Sequence, residues 1–212
     1  MKLIVETHPT PAELSVTGLE VAALLVTSGG SAVDIRDAAH SALPIFYQAQ
    51  LKPDGGLTFP DGARRLAIDT REGQADLDRI SAELRIIEAR NGRADRSTAL
   101  MIYPYPDAAS LADRRHDLVG SERLFALALD EPMLLKSLTA ESAQHGEPLP
   151  APLVYARARL VAASRILGVP SYLKPLWRDD AVENMALLRG AKRDGFDGVI
   201  VSSTLLADLK NA

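Results

Sequence analysis

The hydrophobic and polar positions between residues 153 and 202 alternate between two spacings. From Leu153 to Leu167 the apolar residues recur every three or four positions, which predicts a helix with one buried face. A glycine and a proline end that helix, and the short apolar run Pro170 to Leu176 predicts a buried strand. Ala181 to Arg193 repeats the helical spacing, and Val199 to Ser202 predicts a second strand. A strand, a covering helix and the next strand form a βαβ unit, so these strands are expected to be parallel.

The same alternation runs through the upstream chain. Short apolar runs predict six more strands, at Lys2–Glu6, Val21–Val26, Pro44–Ala49, Arg65–Ile68, Thr98–Ile102 and Leu124–Leu129. Helices are predicted at Pro11–Leu19, Asp34–Leu43, Gln74–Ala89, Ala108–Arg115 and Glu131–Ser142. The segment Leu51 to Gly62 is rich in glycine and proline and predicts a loop.

Eight strands with about seven interleaved helices predict a (β/α)8 TIM barrel, because an open doubly wound sheet usually has five or six strands. A chain of 212 residues is long enough for one such domain, so residues 1–212 are predicted to form a single (β/α)8 barrel domain.

The amino-acid composition and the net charge exclude several classes of function. With 47% hydrophobic and 25% charged residues the chain is typical of a globular protein, and its net charge of -4 gives no general attraction to nucleic acid or an anionic membrane. The absence of cysteine excludes disulfides, thiolate zinc sites and a cysteine nucleophile. Glu6 and Pro9 follow the first apolar residues too soon for a signal peptide, and no run is long enough to span a membrane, so we expect a cytoplasmic protein.

In an α/β barrel the ligand meets the loops at the carboxyl ends of the strands. The polar and aromatic residues predicted at those ends are Glu6 and His8, Thr27 and Ser28, Gln48 and Gln50, Asp69 and Arg71, Tyr103 and Tyr105, Asp130 and Glu131, Lys174 and Trp177, and Ser202 to Thr204. They predict a polar rim at one mouth of the barrel. No paired-histidine zinc motif, phosphate-binding glycine motif or serine nucleophile elbow is present.

Asp130 is the residue on this rim whose sequence context most strongly indicates a functional role. A carboxylate directly after the apolar run LFALAL needs a partner, and with Glu131 it could ligate a hard cation such as Mg²⁺. The alternative is that one of the two carboxylates caps the following helix. Arg71, near Asp69, is a candidate for binding a substrate carboxylate, with a surface ion pair as the alternative.

Lys174 is expected to bind an anion or to be exposed. A Schiff-base role is the other reading, since burial among apolar neighbours would lower its pKa. The proline-stiffened loop Tyr103 to Asp107 could form a wall for a flat ligand or a rigid cover over the barrel.

The closing sequence resembles a known family. The runs LVYARARLVAASRILGVPSYLKPLWRDD and AKRDGFDGVIVSS are similar to the last section of the HpcH/HpaI aldolase and citrate lyase beta-subunit family, with its YAR helix, its G-[LV]-P strand start and its GFDG turn. Upstream, ALMIYPYPDAASL and ERLFALALDEP correspond to the fifth and sixth strands of that family.

The resemblance implies a barrel enzyme, a homo-oligomer by family habit, that makes or breaks a carbon–carbon bond next to a carbonyl. In the family, Mg²⁺ is held by a glutamate after strand five and an aspartate after strand six, with an arginine from strand three. Asp130 matches the aspartate, whereas Tyr103 stands in place of the glutamate and Gln48 lies near the position of the arginine. Ser202 and Ser203 replace a His-Pro pair after the last strand.

The resulting hypothesis is a divergent lyase acting on a 2-oxo acid or an acyl-CoA substrate. Its predicted catalytic residues are Asp130, Tyr103 and Gln48, its substrate-binding residues are Arg71, Lys174, Ser202 and Ser203, and its Mg²⁺ ligands are Asp130 and Glu131. The alternative is a catalytically silent barrel that binds a small anion or serves as a subunit of a complex. A third reading is a phosphate-binding barrel of the thiamine-phosphate-synthase kind, using Ser202 to Thr204 and Gly29-Gly30.

Overall fold

The structure is a computed structural model of the 212-residue chain. It describes residues 1–7, 20–26, 45–51, 56–59, 62–69, 74–106, 111, 121–138, 148–202 and 205. The following account is confined to those residues.

Eight parallel strands form the centre of the molecule. Ten strands are described in all, and β4 and β5 lie outside the barrel. In chain order they are β1 (Lys2–Thr7), β2 (Glu20–Val26), β3 (Ile45–Gln48), β4 (Gln50–Leu51), β5 (Leu57–Thr58), β6 (Arg65–Ile68), β7 (Ala99–Ile102), β8 (Leu124–Asp130), β9 (Ser171–Lys174) and β10 (Gly198–Ser202). Hydrogen-bonded pairing runs in the order β1-β10-β9-β8-β7-β6-β3-β2 and returns from β2 to β1, so the sheet is a closed barrel. The predicted parallel α/β class is therefore confirmed, and each of the eight predicted strands is present.

Four helices are described, namely α1 (Gln74–Arg90), α2 (Glu131–Ser137), α3 (Ala151–Leu167) and α4 (Ala181–Arg193). Helix α2 is described as far as Ser137, with Leu138 as its C-cap residue. The remainder of the predicted helix Glu131–Ser142, residues 139–142, lies outside the described residues. The predicted helices Pro11–Leu19 and Asp34–Leu43 lie outside the described residues, as does all of Ala108–Arg115 except Leu111. A full set of helices around the barrel thus stays a prediction. No helix in the described ranges is long and apolar enough to cross a bilayer.

The connection between β3 and β6 differs from the predicted loop. Gln50 and Leu51 pair antiparallel with Thr58 and Leu57, forming a separate two-stranded sheet. The Leu57 backbone N–H donates to Glu83 Oε1 on α1 at 2.9 Å, and Leu57 packs against the core. The described residues of this crossover contain no helix. Strands of two residues are too short to show an alternating pattern, which is why the sequence gives no sign of them.

Two buried clusters follow from the alternation of side chains along each strand. One fills the barrel and consists of Ile4, Ala23, Leu25, Phe46, Ala67, Met101, Tyr103, Ala126, Ala128, Tyr172 and Ile200. The other lies between the strands and the surrounding elements, and includes Leu77, Ile80 and Leu84 of α1. Since successive side chains point to opposite faces, the residue two positions beyond an interior residue also faces the barrel axis.

A buried ion pair joins the C-terminal part of α1 to the start of β8. Arg123 donates from both terminal nitrogens to the Glu88 carboxylate at 2.8 Å, and the Thr98 backbone N–H donates to Glu88 Oε1 at 2.8 Å. Burial alone would raise the pKa of Glu88, but the hydrogen bonds from Arg123 and Thr98 lower it to about 2. The pair ties α1 to the end of the barrel opposite the polar rim.

Candidate functional site

The polar residues at the mouth of the barrel are found by taking, on each strand, the residue two positions after a member of the interior cluster. The residues reached in this way are Glu6, Gln48, Asp69, Tyr103, Asp130, Lys174 and Ser202. Each lies at or just beyond the carboxyl end of a parallel strand. This is the end where α/β barrels bind their ligands.

Lys174 lies at the centre of the contacts in this mouth. Its Nζ is 2.8 Å from Glu6 Oε2 and 3.3 Å from Asp130 Oδ2, and it donates to the Tyr103 hydroxyl oxygen at 3.2 Å. The four side chains come from β1, β8, β9 and the residue after β7, so the closed barrel brings together residues that are far apart in sequence.

The charge of Lys174 is set by opposing effects. Burial lowers the pKa of its ammonium, but the negative charge of Asp130 and the hydrogen bond and charge of Glu6 raise it, and the net pKa lies above the usual 10.5. The alternative reading of Lys174 as a Schiff-base lysine required a lowered pKa, and it fails because it considered the apolar neighbours and not the two carboxylates. Lys174 is a cation at neutral pH, not the free amine that forms a Schiff base.

Tyr103 and Asp130 form a buried hydrogen bond in which the hydroxyl donates to Asp130 Oδ2. Burial raises the pKa of the Tyr103 hydroxyl, and the negative charges of Asp130 and Glu6 raise it further. Tyr103 consequently keeps its proton at neutral pH and can act as a hydrogen-bond donor.

Asp130 also caps helix α2. Its Oδ1 accepts a hydrogen bond from the Met133 backbone N–H at 2.9 Å, while its backbone has the extended conformation of an N-cap residue. The capping alternative is confirmed for Asp130. Because the cap uses Oδ1 and the mouth uses Oδ2, one carboxylate serves both purposes.

Glu131 points away from this cluster. It is completely buried, its Oε1 accepts a hydrogen bond from Arg157 Nε at 2.6 Å, and its Oε2 accepts one from the Leu176 backbone N–H at 3.1 Å. Arg157 in turn contacts Asp194 at 2.8 Å. The Glu131 carboxylate is thus engaged on the helical side of the strand. The predicted Asp130–Glu131 pair therefore does not converge on one cation.

The donor set at the mouth does not fit a Mg²⁺ site. Two carboxylates, from Glu6 and Asp130, converge there, but the Lys174 ammonium lies between them. Within the described ranges no group of three or more His, Asp or Glu side chains could hold a metal ion. A divalent cation beside the ammonium would be repelled by its positive charge, and one at these oxygen atoms would first have to displace Lys174 from both carboxylates.

Other predicted residues are only partly covered by the structure. Gln48 is the last residue of β3 and faces the mouth by its position in the strand. Ser202 ends β10, pairs in register with Glu6, and accepts a hydrogen bond from the Leu205 backbone N–H at 3.1 Å. Arg71 and Ser203 lie outside the described residues, so their predicted roles in substrate binding stay predictions.

The proposed phosphate site is likewise mostly undescribed. Of Ser202 to Thr204 and Gly29-Gly30, the structure describes Ser202 alone.

Glu6 belongs to the cluster but is not among the predicted catalytic, substrate-binding or metal-binding residues. The sequence places Glu6 on the rim without indicating a role for it. The signal that could have found it is its position two residues after Ile4 on the first strand, since the first and last strands of a closed barrel are neighbours.

The fold is a parallel α/β barrel with a cluster of polar side chains at the carboxyl ends of its strands, the end at which barrels of this class bind ligands. No protein-family model matches the sequence. No curated protein matches it either. Structural similarity is clear, however, and lies with two groups of enzymes.

Malate synthase from Haloferax volcanii, in its magnesium/glyoxylate complex, is similar with a TM-score of 0.70 and 15% identity, over 100% of this chain and 74% of that chain. An HpcH/HpaI aldolase/citrate lyase family protein from Burkholderia cenocepacia has a TM-score of 0.63 and 16% identity, over 90% and 82% of the two chains. Protein CitE from Mycobacterium tuberculosis, in complex with magnesium and acetate, has a TM-score of 0.60 and 11% identity, over 89% and 80%.

The TM-scores of 0.60 to 0.70 establish similarity of fold, and at identities of 11% to 16% they establish no more than that. The predicted resemblance to the HpcH/HpaI aldolase and citrate lyase beta-subunit family is confirmed at that level. The chain spans 64% of the malate synthase chain in a lead(II) complex of the same enzyme.

Proposed function

We propose that the protein is an aldolase-like lyase that breaks or forms a carbon–carbon bond next to the carbonyl of a 2-oxo acid or an acyl-CoA thioester. The observation that carries the proposal is the position of the Lys174 ammonium, held between Glu6 and Asp130 at the carboxyl end of the barrel with the Tyr103 hydroxyl beside it. A fixed cation next to a protonated hydroxyl is suited to stabilising the negative charge that develops on an enolate oxygen.

Each side chain of the cluster has a role in this proposal. Lys174 donates a hydrogen bond to the substrate carbonyl oxygen. Tyr103, whose single O–H is donated to Asp130, accepts a hydrogen bond from Lys174 and helps to position the ammonium. Glu6 is the general base, because its side chain is 17% exposed whereas that of Asp130 is 7% exposed and already accepts three hydrogen bonds or ion-pair contacts. Asp130 positions Tyr103 and Lys174 without itself taking the proton.

In the cleavage direction, the substrate carries a hydroxyl on the second carbon from the carbonyl group. Glu6 removes the hydroxyl proton, and the O–H electron pair becomes the second bond of a new carbonyl group. The carbon–carbon bond breaks, and its electron pair moves onto the remaining fragment as an enolate, whose oxygen faces Lys174 and Tyr103. The protonated Glu6 then returns its proton to the enolate carbon. No oxidant or reductant is consumed.

The ligands of the similar structures support this substrate class. Structures of the Haloferax malate synthase contain glyoxylate, or pyruvate with acetyl-CoA, and the CitE structure contains acetate. All of these ligands have a carboxylate or a thioester beside the reacting carbon. The full (β/α)8 architecture, a homo-oligomer and a cytoplasmic location belong to the same proposal.

The test is incubation of the protein with a panel of acyl-CoA thioesters and 2-oxo acids, with products identified by mass spectrometry. With the substrate so found, Lys174→Met and Glu6→Gln are expected to lower kcat/KM about 100-fold or more. Lys192→Met, which removes an exposed lysine of α4, is the matched control and should leave kcat/KM unchanged. Activity in which Lys174→Met equals the control would contradict the proposal.

The second candidate, a silent barrel that binds a small anion, is favoured by one observation. Lys174 already contacts Glu6, Asp130 and Tyr103, as in a network that serves structure alone. Retention of a panel compound without turnover would support this function, and cleavage of any panel compound would reject it.

A further inference from the structure

The Lys174 side chain places a positive charge where carboxylates from two strands converge. Its Nζ is 2.8 Å from Glu6 Oε2 and 3.3 Å from Asp130 Oδ2. Carboxylate oxygens are the ligands that Mg²⁺ and Mn²⁺ prefer. An ammonium group has three N–H donors, and Glu6, Asp130 and Tyr103 supply three oxygen atoms within 3.3 Å of it. The oxygen atoms that could hold a divalent cation therefore surround a lysine instead.

We propose that the Lys174 ammonium is the resident cation of this barrel and that the protein activates its substrate carbonyl without a divalent metal. The catalytic half of this inference rests on the proposed function, whereas the occupation of the cation position by Lys174 does not. Lys174 supplies from β9 the positive charge that would otherwise come from solution.

The charges at the mouth support a lysine, in place of a divalent metal, as the cation between the two carboxylates. Glu6 and Asp130 carry two negative charges and Lys174 one positive charge. Replacing Lys174 by a neutral side chain would leave two carboxylates without their shared counter-ion. The side chains of Asp130 and Lys174 are 7% and 24% exposed, so water screens their interaction less than at a free surface.

The ammonium can carry out the role of a Lewis acid at one point of the reaction. As the carbon–carbon bond breaks, its electron pair moves through the enolate to the former carbonyl oxygen. One of the three ammonium N–H groups turns from its present oxygen partner and donates a charge-assisted hydrogen bond to that oxygen, and the proton stays on Nζ. When the enolate carbon is protonated, the hydrogen bond weakens again and Lys174 is unchanged.

The experiment measures Mn²⁺ binding by electron paramagnetic resonance, which needs no substrate. Five proteins are compared: wild type, Glu6→Gln, Lys174→Met, Lys174→Arg, and the double variant Lys174→Met with Glu6→Gln. We expect Lys174→Met to bind Mn²⁺ at least about tenfold more tightly than wild type, because the competing charge is gone. Lys174→Arg keeps a cation and should resemble wild type, and the double variant should lose the gained binding. Mg²⁺ is then titrated as a competitor.

Two results would overturn the inference. One is saturable Mn²⁺ binding by wild type that Glu6→Gln abolishes, which would mean that Lys174 does not occupy the cation position. The other is a folded Lys174→Met variant, judged by circular dichroism, that gains no Mn²⁺ binding. If Lys174→Met does not fold, the Mn²⁺ titrations of wild type and Glu6→Gln still show whether Lys174 occupies the cation position.

Activity separates this inference from the proposed function. If the panel yields a substrate, wild-type turnover should be unaffected by a metal chelator and by added Mg²⁺. Turnover that disappears with chelator and returns with Mg²⁺ would leave the lyase function standing and reject the metal-free reaction. If no compound is turned over but Lys174→Met gains Mn²⁺ binding, the lyase function fails and the occupation of the cation position by Lys174 stands.

Discussion

Arg157 Nε lies 2.6 Å from Glu131 Oε1, and this ion pair holds the Glu131 carboxylate on the helical side of the barrel, directly after a residue that faces the mouth. Glu131 is completely buried and the Arg157 side chain is 8% exposed. Burial lowers the pKa of the Arg157 guanidinium, but Glu131 and Asp194 raise it above its usual value, so the guanidinium stays charged.

We expect Arg157→Met to lower the free energy of unfolding by about 3–5 kcal/mol, because it leaves a buried carboxylate without its partner. The double variant Arg157→Met with Glu131→Gln should recover part of that loss. Arg165→Met, on the same helix, is the control: its ion pair with Asp197 is exposed and should be worth about 0–1 kcal/mol. Urea unfolding measures all three, and equal losses for Arg157→Met and Arg165→Met would show that Glu131 reaches solvent.

The Glu88–Arg123 pair predicts a pH dependence of stability. The pKa of Glu88 is lowered from 4.5 to about 2 in the folded protein, so the unfolded chain binds a proton first as the pH falls. The stabilisation is therefore complete above about pH 4.5 and is lost as the pH falls toward 2, with a total on the order of 3 kcal/mol. Urea unfolding between these pH values should show a smaller decline in Glu88→Gln than in wild type. Identical slopes would contradict the assignment.

Gly198 allows β10 to approach the start of β1. A Cβ atom at this position would lie 2.4 Å from the Lys2 carbonyl oxygen and 2.9 Å from the Tyr172 ring. We expect Gly198→Ala to destabilise the protein by about 1–3 kcal/mol, because backbone atoms must move to relieve the contact. Gly190→Ala, in helix α4 with no atom within 4 Å of the new Cβ, is the control and should stabilise by about 0.5–1 kcal/mol. Thermal unfolding of the two variants should shift in opposite directions.

The strands were predictable because a strand buried on both faces leaves a continuous apolar run in the sequence. All eight runs became barrel strands, and the order of strands and helices was enough to indicate the parallel class. The pair formed by Gln50–Leu51 and Leu57–Thr58 was not predictable, since it is held by contacts with α1 that no local pattern records.

The candidate site was predictable in position but not in its contacts. Strand ends placed Tyr103, Asp130 and Lys174 at one mouth, as observed. The meeting of Lys174 with Glu6 depends on the closure of the barrel between β1 and β10, a long-range property. The separation of Asp130 from Glu131 could have been inferred: Ala126 and Ala128 face the interior, so Asp130 does too and the next residue does not.

Asp130 has two roles: it caps helix α2, and it contributes to the charge of the mouth. Two substitutions separate these roles. Asp130→Asn keeps an oxygen that can accept from the Met133 backbone N–H, so we expect a stability change below about 0.5 kcal/mol from the cap. Asp130→Ala removes the cap and should cost about 1 kcal/mol. Urea unfolding of the two variants provides this comparison.

Both variants remove the negative charge that raises the pKa of Lys174, so that pKa should fall in each. If Lys174 must be protonated for catalysis, the alkaline limb of the kcat/KM profile should move to lower pH in both variants by the same amount, while stability differs between them. A helix cap without any part in the chemistry would change stability in Asp130→Ala and leave both pH profiles like that of wild type. The pH profile of kcat/KM, measured on the substrate found in the panel, therefore decides whether Asp130 acts on the charge of Lys174 or on helix α2 alone.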